Sequence, residues 1–599
     1  MKIRLVAIAL FLAPVLGVPV LAQQQRPSAD TVLDHGFIDT VDAFNSVQQA
    51  IAIRDGRIVY VGTDSGVGAY IGKQTNVIDL HGKMVMPGLI DPHIHPIAGG
   101  SEQLECSLDY AILDIKEVQE RIQACLDKTK AKEPNAYLIV VNWYQEGTHS
   151  REPRGTVITK AILDVLKTKR PIIVRSSFGH SILANSRAMA LAGITRSMPD
   201  PPGGRIDRDA SGEPIGLFED AAEGLISKPV PTARTEGEIV DAAKAALGVF
   251  RENGVTAFMA QMAEKPDIQA WSTLRKQGLL TARAYMAPDS VVGGIPKPDA
   301  VQDILELKRE FDTGPMGPNP NIWVRNSGEI FQDGVQQWPE QTASLLKPYL
   351  VNKGTASKPN WVPGSSRGPD PYTSLDEFEK LLLALARAGI EPEVHAIGDR
   401  AVRHTLDAYA YVRAHLDGKD VRLEIAHSEM VDPSDYIRFK TLNVIPDMSF
   451  VWAKPGPDSI DTEKDYIGLD RWNRVEPEGN LNDLGVPIAW GSDWPVDKYD
   501  TFYALKVLVT RQGDLGGKYT GRLGAVSLVP VKDAIRAITI NGAYALHSEK
   551  DIGSLEDGKL ADLIVISQNL FEVPPLQIDK TKVLLTMVGG KIVFRDQSM

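Results

Sequence analysis

The chain has 599 residues, of which 43% are hydrophobic and 24% charged, a composition typical of globular proteins. Its length exceeds what one hydrophobic core usually holds, so we expect a large domain and at least one smaller one. The formal net charge is −12 and the sequence has no basic cluster, so we expect no nucleic-acid partner.

Residues 1–22 have the pattern of a secretory signal peptide. Lys2 and Arg4 provide the positive start, and the following apolar run ends in a small residue, Ala22. The pattern predicts cleavage after Ala22, a periplasmic or secreted protein and no stable membrane span after cleavage. An uncleaved membrane anchor is the alternative, although the run is short and interrupted by prolines.

Cys106 and Cys125 are the two cysteines of the chain. An exported protein could join them in a disulfide, but the sequence leaves their pairing open. Two thiols are too few for a cysteine metal cluster.

Short strands separated by turns are predicted near both ends of the chain. Asp55-Gly56 is a hairpin signal between two of them. We expect residues 23–85 and 550–599 to pair into one small β-sandwich domain. The predicted strands are Gln49–Ile53, Arg57–Val61, Asn76–Leu80, Asp562–Ile566, Val583–Val588 and Lys591–Phe594.

Buried strands alternate with amphipathic helices over residues 86–549. This pattern predicts a parallel α/β fold, with a TIM-type (β/α)8 barrel favoured over an open doubly wound sheet. Residues 290–320 and 352–372 are expected to be surface loops. The predicted strands are Val85–Ile90, Tyr137–Val141, Pro171–Arg175, Ala282–Met286, Ile322–Val324, Pro392–His395, Arg422–Ala426 and Pro487–Trp490; the predicted helices include Ser374–Ala388 and Val531–His547.

His93 and His95 follow a predicted strand and are two residues apart. On extended backbone this spacing directs both imidazoles to the same side, where they could share one metal ion. Imidazole suits zinc, iron, nickel or copper. Two unrelated histidines in a turn are the alternative.

Further metal-binding groups stand at or just beyond other strand ends. They are Glu329, His395, His427 and Asp493. In a barrel the carboxyl ends of the strands open onto one face, so we expect these side chains to meet there.

The order His-X-His, strand carboxylate, His, His and Gly-Ser-Asp resembles the amidohydrolase superfamily. The branch it is most similar to, amidohydrolase 3, includes N-substituted formamide deformylase. The resemblance runs from about residue 30 to the C-terminus. It includes the segments 85–91, 178–180, 395–401, 491–495 and 551–562.

The resemblance implies a centre with two divalent metals, expected to be zinc. His93 and His95 would ligate the more buried ion, and His395 and His427 the second. Asp493 would ligate the first ion and exchange a proton with the attacking water. A structural Asp493 that caps the next helix is the alternative.

Glu329 marks a departure from the family pattern. Many relatives carry a carbamate-modified lysine four residues before an Asp-Gly pair, and here Glu329 stands four residues before Asp333-Gly334. A glutamate can bridge two metals without modification if Gly328 permits a closer approach of the backbone. A one-metal site with a structural Glu329 remains the alternative.

The long segment at about 100–234 corresponds to an insertion that roofs the pocket in relatives. His180 within it resembles a histidine that contacts the substrate and could stabilise an oxyanion. A hydrogen-bonded loop histidine is the alternative. Arg205 and Asp220 match family positions, but the sequence suggests no chemical role for them.

These features predict an exported metal-dependent amidohydrolase that cleaves a non-peptide C–N bond, in an amide or N-acyl group, with metal-activated water. Its partner would be a small-molecule substrate, and a homo-oligomer is left open. The alternatives are an ester or lactone hydrolase, an isomerase, or a non-catalytic secreted regulator that kept the fold.

Overall fold

The structure is a computed structural model that describes residues 28–129, 136–228, 230, 234–355, 357–416 and 418–599. The predicted signal peptide, residues 1–22, lies outside the described residues.

Two sheets are formed by the ends of the chain, and the six-stranded one combines strands from both ends. The predicted hairpin at Asp55-Gly56 is present, and Leu563–Ile566 pairs antiparallel with Met84–Pro87. Leu33, Val85 and Leu585 are fully buried in a core that the two sheets share. In spatial order, the strands of the four-stranded sheet are Arg57–Gly62, Ala50–Arg54, Thr31–Asp34 and Asn76–Asp79, and those of the six-stranded sheet are Lys591–Arg595, Val583–Val588, Leu563–Ile566, Met84–Pro87, Phe37–Asp39 and Val47–Gln48.

Parallel strands form the centre of the molecule, which has a TIM-like α/β fold. They are β1 (Leu89–Ile94), β2 (Val255–Gln261), β3 (Arg283–Ala287), β4 (Ile322–Val324), β5 (Asn326–Phe331), β6 (Glu391–Ala396), β7 (Leu423–His427), β8 (Val444–Met448) and β9 (Ala489–Trp490). One sheet has the order β4-β3-β2-β1, and the other has the order β5-β6-β7-β8-β9. Every residue of β2 is buried, as expected for a parallel strand covered on both faces.

The two parallel sheets are adjacent at both junctions. Arg325 alone separates β4 from β5 in the chain. At the other junction, the amide of Asp493 donates to the carbonyl of His93 at 2.9 Å, and the amide of His95 donates to the carbonyl of Trp494 at 2.9 Å. The loop after β9 is therefore held against the end of β1.

Helices connect the parallel strands. Leu375–Arg387 buries Phe378, Leu382 and Leu385, the face that the sequence periodicity predicts. No helix among the described residues is long and apolar enough to cross a membrane. The connecting helices are Pro96–Glu102, Glu236–Glu252, Lys265–Lys276, Ala300–Phe311, Leu375–Arg387, Asp399–His415, Tyr436–Thr441, Lys464–Ile467, Leu469–Trp472 and Glu478–Asp483, followed by Thr501–Thr510, Val531–Ala537 and Ile540–Ala545.

Several predicted element boundaries differ from the structure. The single strand expected over Val85–Ile90 breaks at Gly88, because Met84–Pro87 pairs with Leu563–Ile566 in one sheet and Leu89–Ile94 pairs with Val255–Gln261 in another. The surface loop expected over residues 290–320 contains the helix Ala300–Phe311, whose Ile304 and Phe311 are buried. Tertiary burial of that apolar face outweighs the flanking prolines and glycines.

The insertion forms its own six-stranded sheet. Two strands predicted near Tyr137 and Pro171 lie in this sheet and not among β1–β9. A disulfide joins Cys106 to Cys125 in the helix Ile115–Lys128. In spatial order the strands are Gly204–Arg208, Pro214–Asp220, Ser181–Ala184, Ile172–Ser176, Leu138–Trp143 and Cys106–Ser107; the other helices are Gln145–Arg151, Ala161–Asp164, Ser186–Leu191 and Glu223–Ser227.

Candidate metal centre

The carboxyl ends of the parallel strands bring all the predicted ligand groups together. Each is at a strand end or in the loop that follows, and most are at least nine-tenths buried. The groups are His93 and His95 after or within β1, Glu329 on β5, His395 on β6, His427 at the end of β7 and Asp493 after β9.

The first group of ligand atoms surrounds Asp493. Its Oδ1 lies 3.2 Å from Nε2 of His93 and 3.2 Å from Nε2 of His95. Oε2 of Glu329 lies 3.8 Å and 3.5 Å from the same two nitrogens. Two imidazoles and two carboxylates at this spacing can hold one divalent cation.

The second group surrounds the other oxygen of Glu329. Oε1 lies 2.7 Å from Nδ1 of His395 and 2.9 Å from Nε2 of His427. The two carboxylate oxygens of Glu329 therefore face different sets of imidazoles. This arrangement fits the donor set of a bridged two-ion centre; the number of ions and their identity remain predictions.

The backbone of β5 brings Glu329 into this position. The pairing of β5 with β6 is irregular between Ser327 and Ile330, as in a β-bulge, which re-aims a side chain. A Cβ on Gly328 would lie 2.6 Å from Oε1 of Gln261 and 3.1 Å from Cβ of Glu393. The absence of a side chain at Gly328 thus permits the close approach that the shorter glutamate needs.

Neighbouring histidines favour the ionised forms of the buried carboxylates in the centre. Burial raises the pKa of Glu329, but the charges of His93 and His395 outweigh this effect and hold it well below its usual range. Burial likewise opposes ionisation of Asp493, while hydrogen bonds from His93 and His95 lower its pKa. Both carboxylates are therefore ionised and available to a cation.

Glu393 orients His93 from the side opposite to the ligand atoms. Nδ1 of His93 donates to Oε1 of Glu393 at 2.5 Å, which leaves Nε2 free to bind a metal. Gln261 in turn donates to Glu393 and to the carbonyl of Pro92. Glu393 was not among the residues predicted from the sequence, although an acidic residue two positions before His395 on an apolar strand was a usable signal.

Asp91 holds the loop that carries Asp493. It accepts hydrogen bonds from the amide of Ser492 at 3.0 Å and from the hydroxyl of Tyr499 at 3.0 Å. Asp493 and His427 both have left-handed backbone conformations, with φ of 53° and 71°. Such conformations are unfavourable for residues with side chains and concentrate at functional sites.

The insertion places His180 over the centre. Its ring centroid lies 5.6 Å from that of His395, and Nδ1 of His180 donates to Oδ1 of Asp220 at 2.7 Å. Burial lowers the pKa of His180, but Asp220 more than offsets this and raises it to about 9. Asp220 therefore keeps His180 as a charged donor above the ligand groups. Arg205 instead pairs with Asp207 and Glu219.

A cavity of about 310 Å³ opens onto the centre. It is lined by His95, His180, Glu329, His395, His427 and Asp493 together with residues of the insertion. The insertion and the strand ends thus enclose a space large enough for part of a small molecule.

Sequence comparisons match most of the chain to known proteins. The sequence model of the amidohydrolase family matches residues 76–594. The chain is 27% identical to protein LONG AFTER FAR-RED 3 of Arabidopsis thaliana, over 94% of this chain and 92% of that protein. It is 25% identical to N-substituted formamide deformylase of Arthrobacter pascens, over 94% of this chain and 97% of that enzyme.

The fold is similar to that of a solved structure. The crystal structure of an uncharacterized metal-dependent hydrolase from Pyrococcus horikoshii OT3 superposes with a TM-score of 0.67 at 20% identity. The match covers 91% of this chain and 99% of the other.

Proposed function

The chain belongs to the amidohydrolase family, and from this premise we propose that it hydrolyses a C–N bond other than a peptide bond, in an amide or N-acyl group. One observation carries the proposal: the two oxygens of Glu329 face separate sets of imidazoles, with Asp493 beside one of them. The similarity to a deformylase favours an acyl group on nitrogen as the point of attack.

The donor set fits a divalent metal, and we propose two zinc ions. A bound divalent metal supplies Lewis-acid chemistry, which lowers the pKa of water and polarises a carbonyl. The residues that would hold it are His93, His95, Glu329, His395, His427 and Asp493.

Asp493 is the proposed proton carrier. Its ionised carboxylate accepts a proton from the attacking water and returns it to the leaving nitrogen when the C–N bond breaks. The products are then a carboxylate and an amine. The hydrogen bond from the amide of Asp493 to His93 fixes the carboxylate beside the ligand groups.

His180 is the proposed donor to the substrate oxygen. Asp220 occupies Nδ1, so Nε2–H is the group available to stabilise negative charge on the tetrahedral intermediate. His180 and Asp493 line the same cavity, which supports a joint role of both side chains toward one substrate.

We propose that β1–β9 close into an eight-position (β/α)8 barrel, with β4 and β5 counted as one position. The hydrogen bonds between the loop after β9 and the end of β1 support closure. The corresponding domains are a barrel over residues 86–549 and a β-sandwich built from residues 23–85 and 550–599, whose sheets share a core.

Export to the periplasm or medium, with cleavage after Ala22, is also part of the proposal. The disulfide between Cys106 and Cys125 supports it, because oxidising compartments preserve such bonds. We propose small molecules and no nucleic acid as partners, in keeping with the net charge of −12.

The proposal is tested with metal-loaded protein and paired substrates. N-formyl and N-acetyl alkylamines are compared with esters and lactones that have the same acyl groups. Release of amine with a higher kcat/KM than release of alcohol supports the proposed C–N specificity. Preferential ester or lactone hydrolysis would replace it with the alternative chemistry on the same site.

A further inference from the structure

A narrow acidic pocket extends from the metal centre. One part of its lining consists of His180, His395, His427 and Asp493, and another part contains Glu429, Glu463 and Glu476. The three glutamates are 6%, 3% and 3% exposed. Buried carboxylates are rare unless they are paired with a cation, so three of them in one pocket are unusual.

The described residues offer few hydrogen-bond donors to offset the negative charge of these glutamates. Nε2 of Gln336 donates to Oε2 of Glu429 and to Oε1 of Glu463, each at 3.1 Å, and Gln337 is a second neutral amide that hydrogen-bonds to Glu429. Oε2 of Glu476 has no hydrogen-bond partner. The pocket therefore has an unpartnered acceptor on Glu476 beside two carboxylates that hydrogen-bond to neutral amides.

Neighbouring basic residues are engaged elsewhere. Arg511 pairs with Glu478 at 3.0 Å and donates to the carbonyl oxygens of Val475 and Glu476. Lys454 lies 3.6 Å from Asp497. Within the described part of the chain, no lysine or arginine forms an ion pair with Glu429, Glu463 or Glu476.

Repulsion between the buried carboxylates of the pocket favours the binding of a positive charge among them. Burial raises the pKa of Glu463 well above its usual range, and the neighbouring charge of Glu429 adds to the shift. A cation among these groups would form charge-assisted hydrogen bonds with them.

The geometry favours an organic cation over a metal ion. Among the described residues, the groups whose ligand atoms converge closely enough to hold a metal do not include Glu429, Glu463 or Glu476. The cavity volume of the pocket is about 30 Å³, room for about two water-sized groups, which is compatible with a primary ammonium. Phe178 and Trp452 also line it, and aromatic faces attract cations.

We infer that the substrate carries a primary ammonium group, which binds among Glu429, Glu463 and Glu476 while its acyl carbonyl lies at the metal centre. The inference rests on the proposed function for the position of the carbonyl. It identifies the substrate class as N-acylated diamines or related amides with a basic amine at a distance from the acyl group.

Binding is measured by calorimetry on the metal-loaded wild-type protein with probes that it cannot hydrolyse. The cationic probes are N-(ω-aminoalkyl)methanesulfonamides with two to six methylenes. Each is matched to a neutral N-alkylmethanesulfonamide of the same length. For at least one length, the cationic probe should bind about 10- to 100-fold more tightly than its neutral partner, the range expected for charge-assisted hydrogen bonds.

Two substitutions test whether the glutamates cause the preference for the cationic probe. Glu463→Gln and Glu476→Gln should each remove most of the preference for the cationic probe, and should change the affinity of the neutral partner less than twofold. Glu310→Gln, at an exposed ion pair with Lys265, is the matched control and should leave the preference unchanged. Two separate glutamates keep the test valid if one variant fails to fold.

Hydrolysis of the corresponding formamides is measured separately, so that the two ideas fail in different ways. A cation preference that depends on the glutamates but comes without hydrolysis supports the ammonium site and overturns the proposed function. Equal affinity for cationic and neutral probes, or no binding of any cationic probe, overturns the ammonium site even if the formamides are hydrolysed. A preference that survives both substitutions also overturns it.

Discussion

Oδ1 of Asp493 lies 3.2 Å from Nε2 of His93, although 400 positions separate these residues in the chain. Their backbones are also joined, because the amide of Asp493 donates to the carbonyl of His93. This pairing brings the first and last parallel strands to one site, and it fixes the carboxylate that the proposed chemistry requires beside two imidazoles.

Asp493→Asn should reduce turnover by about 10²- to 10⁴-fold, because an amide cannot accept and return the proton. The unfolding midpoint should stay close to that of the wild type. Steady-state kinetics are measured together with metal content by mass spectrometry. Full activity in a variant with bound metal would remove Asp493 from the proton transfer.

Glu329→Gln should reduce the bound metal from about two ions per chain to about one, because the neutral amide loses one of the two anionic oxygens. Metal stoichiometry after dialysis is the measurement. Glu310→Gln, at an exposed carboxylate paired with Lys265, is the control and should retain the wild-type content. An unchanged stoichiometry in Glu329→Gln would favour a site in which Glu329 is not a bridge.

Glu393→Gln should weaken metal binding by about 10- to 100-fold, since the hydrogen bond that orients His93 loses its charged acceptor. Competition with a chelator measures the affinity. Glu391→Gln is a matched control on the same strand, where Glu391 accepts from Arg422 and His547 and does not contact His93. Equal losses in both variants would indicate a general effect on β6.

Gly328→Ala should lower the free energy of unfolding by about 1–3 kcal/mol and disturb metal binding, because the new methyl group would meet Gln261 and Glu393. Chemical denaturation and metal content are measured on the same sample. Gly68→Ala is the control, since a Cβ there meets nothing within 4 Å. Wild-type stability in Gly328→Ala would show that the β5 backbone moves freely.

His180→Gln should lower kcat by about 10²- to 10³-fold with a smaller effect on KM, as expected when a donor acts mainly on the developing oxyanion. Asp220→Asn should produce a smaller loss of kcat, because His180 remains but loses the carboxylate that orients it. Separate kcat and KM values for both variants are the measurement. A rise in KM alone would make His180 a ground-state binding residue.

Local sequence patterns predicted much of the scaffold. The hairpin at Asp55-Gly56 and the amphipathic helix Leu375–Arg387 follow from turn chemistry and from hydrophobic periodicity, which act over a few residues. The break at Gly88 and the helix Ala300–Phe311 were not predicted. Both depend on distant partners, since the strands on either side of Gly88 pair in different sheets and the helix buries Ile304 and Phe311.

The sequence by itself determined which chemical groups the protein could bring to a site: His93-X-His95, Glu329, His395, His427 and Asp493, each placed by its motif near a strand end. Only the tertiary structure decided how these groups face one another. The irregular pairing of β5 with β6 at Glu329, the contact of Glu393 with His93, and the pocket shared by Glu429, Glu463 and Glu476 join residues that are distant in the chain. Strand register and the packing of separate loops set those distances, and the local spacing of residues determines neither of them.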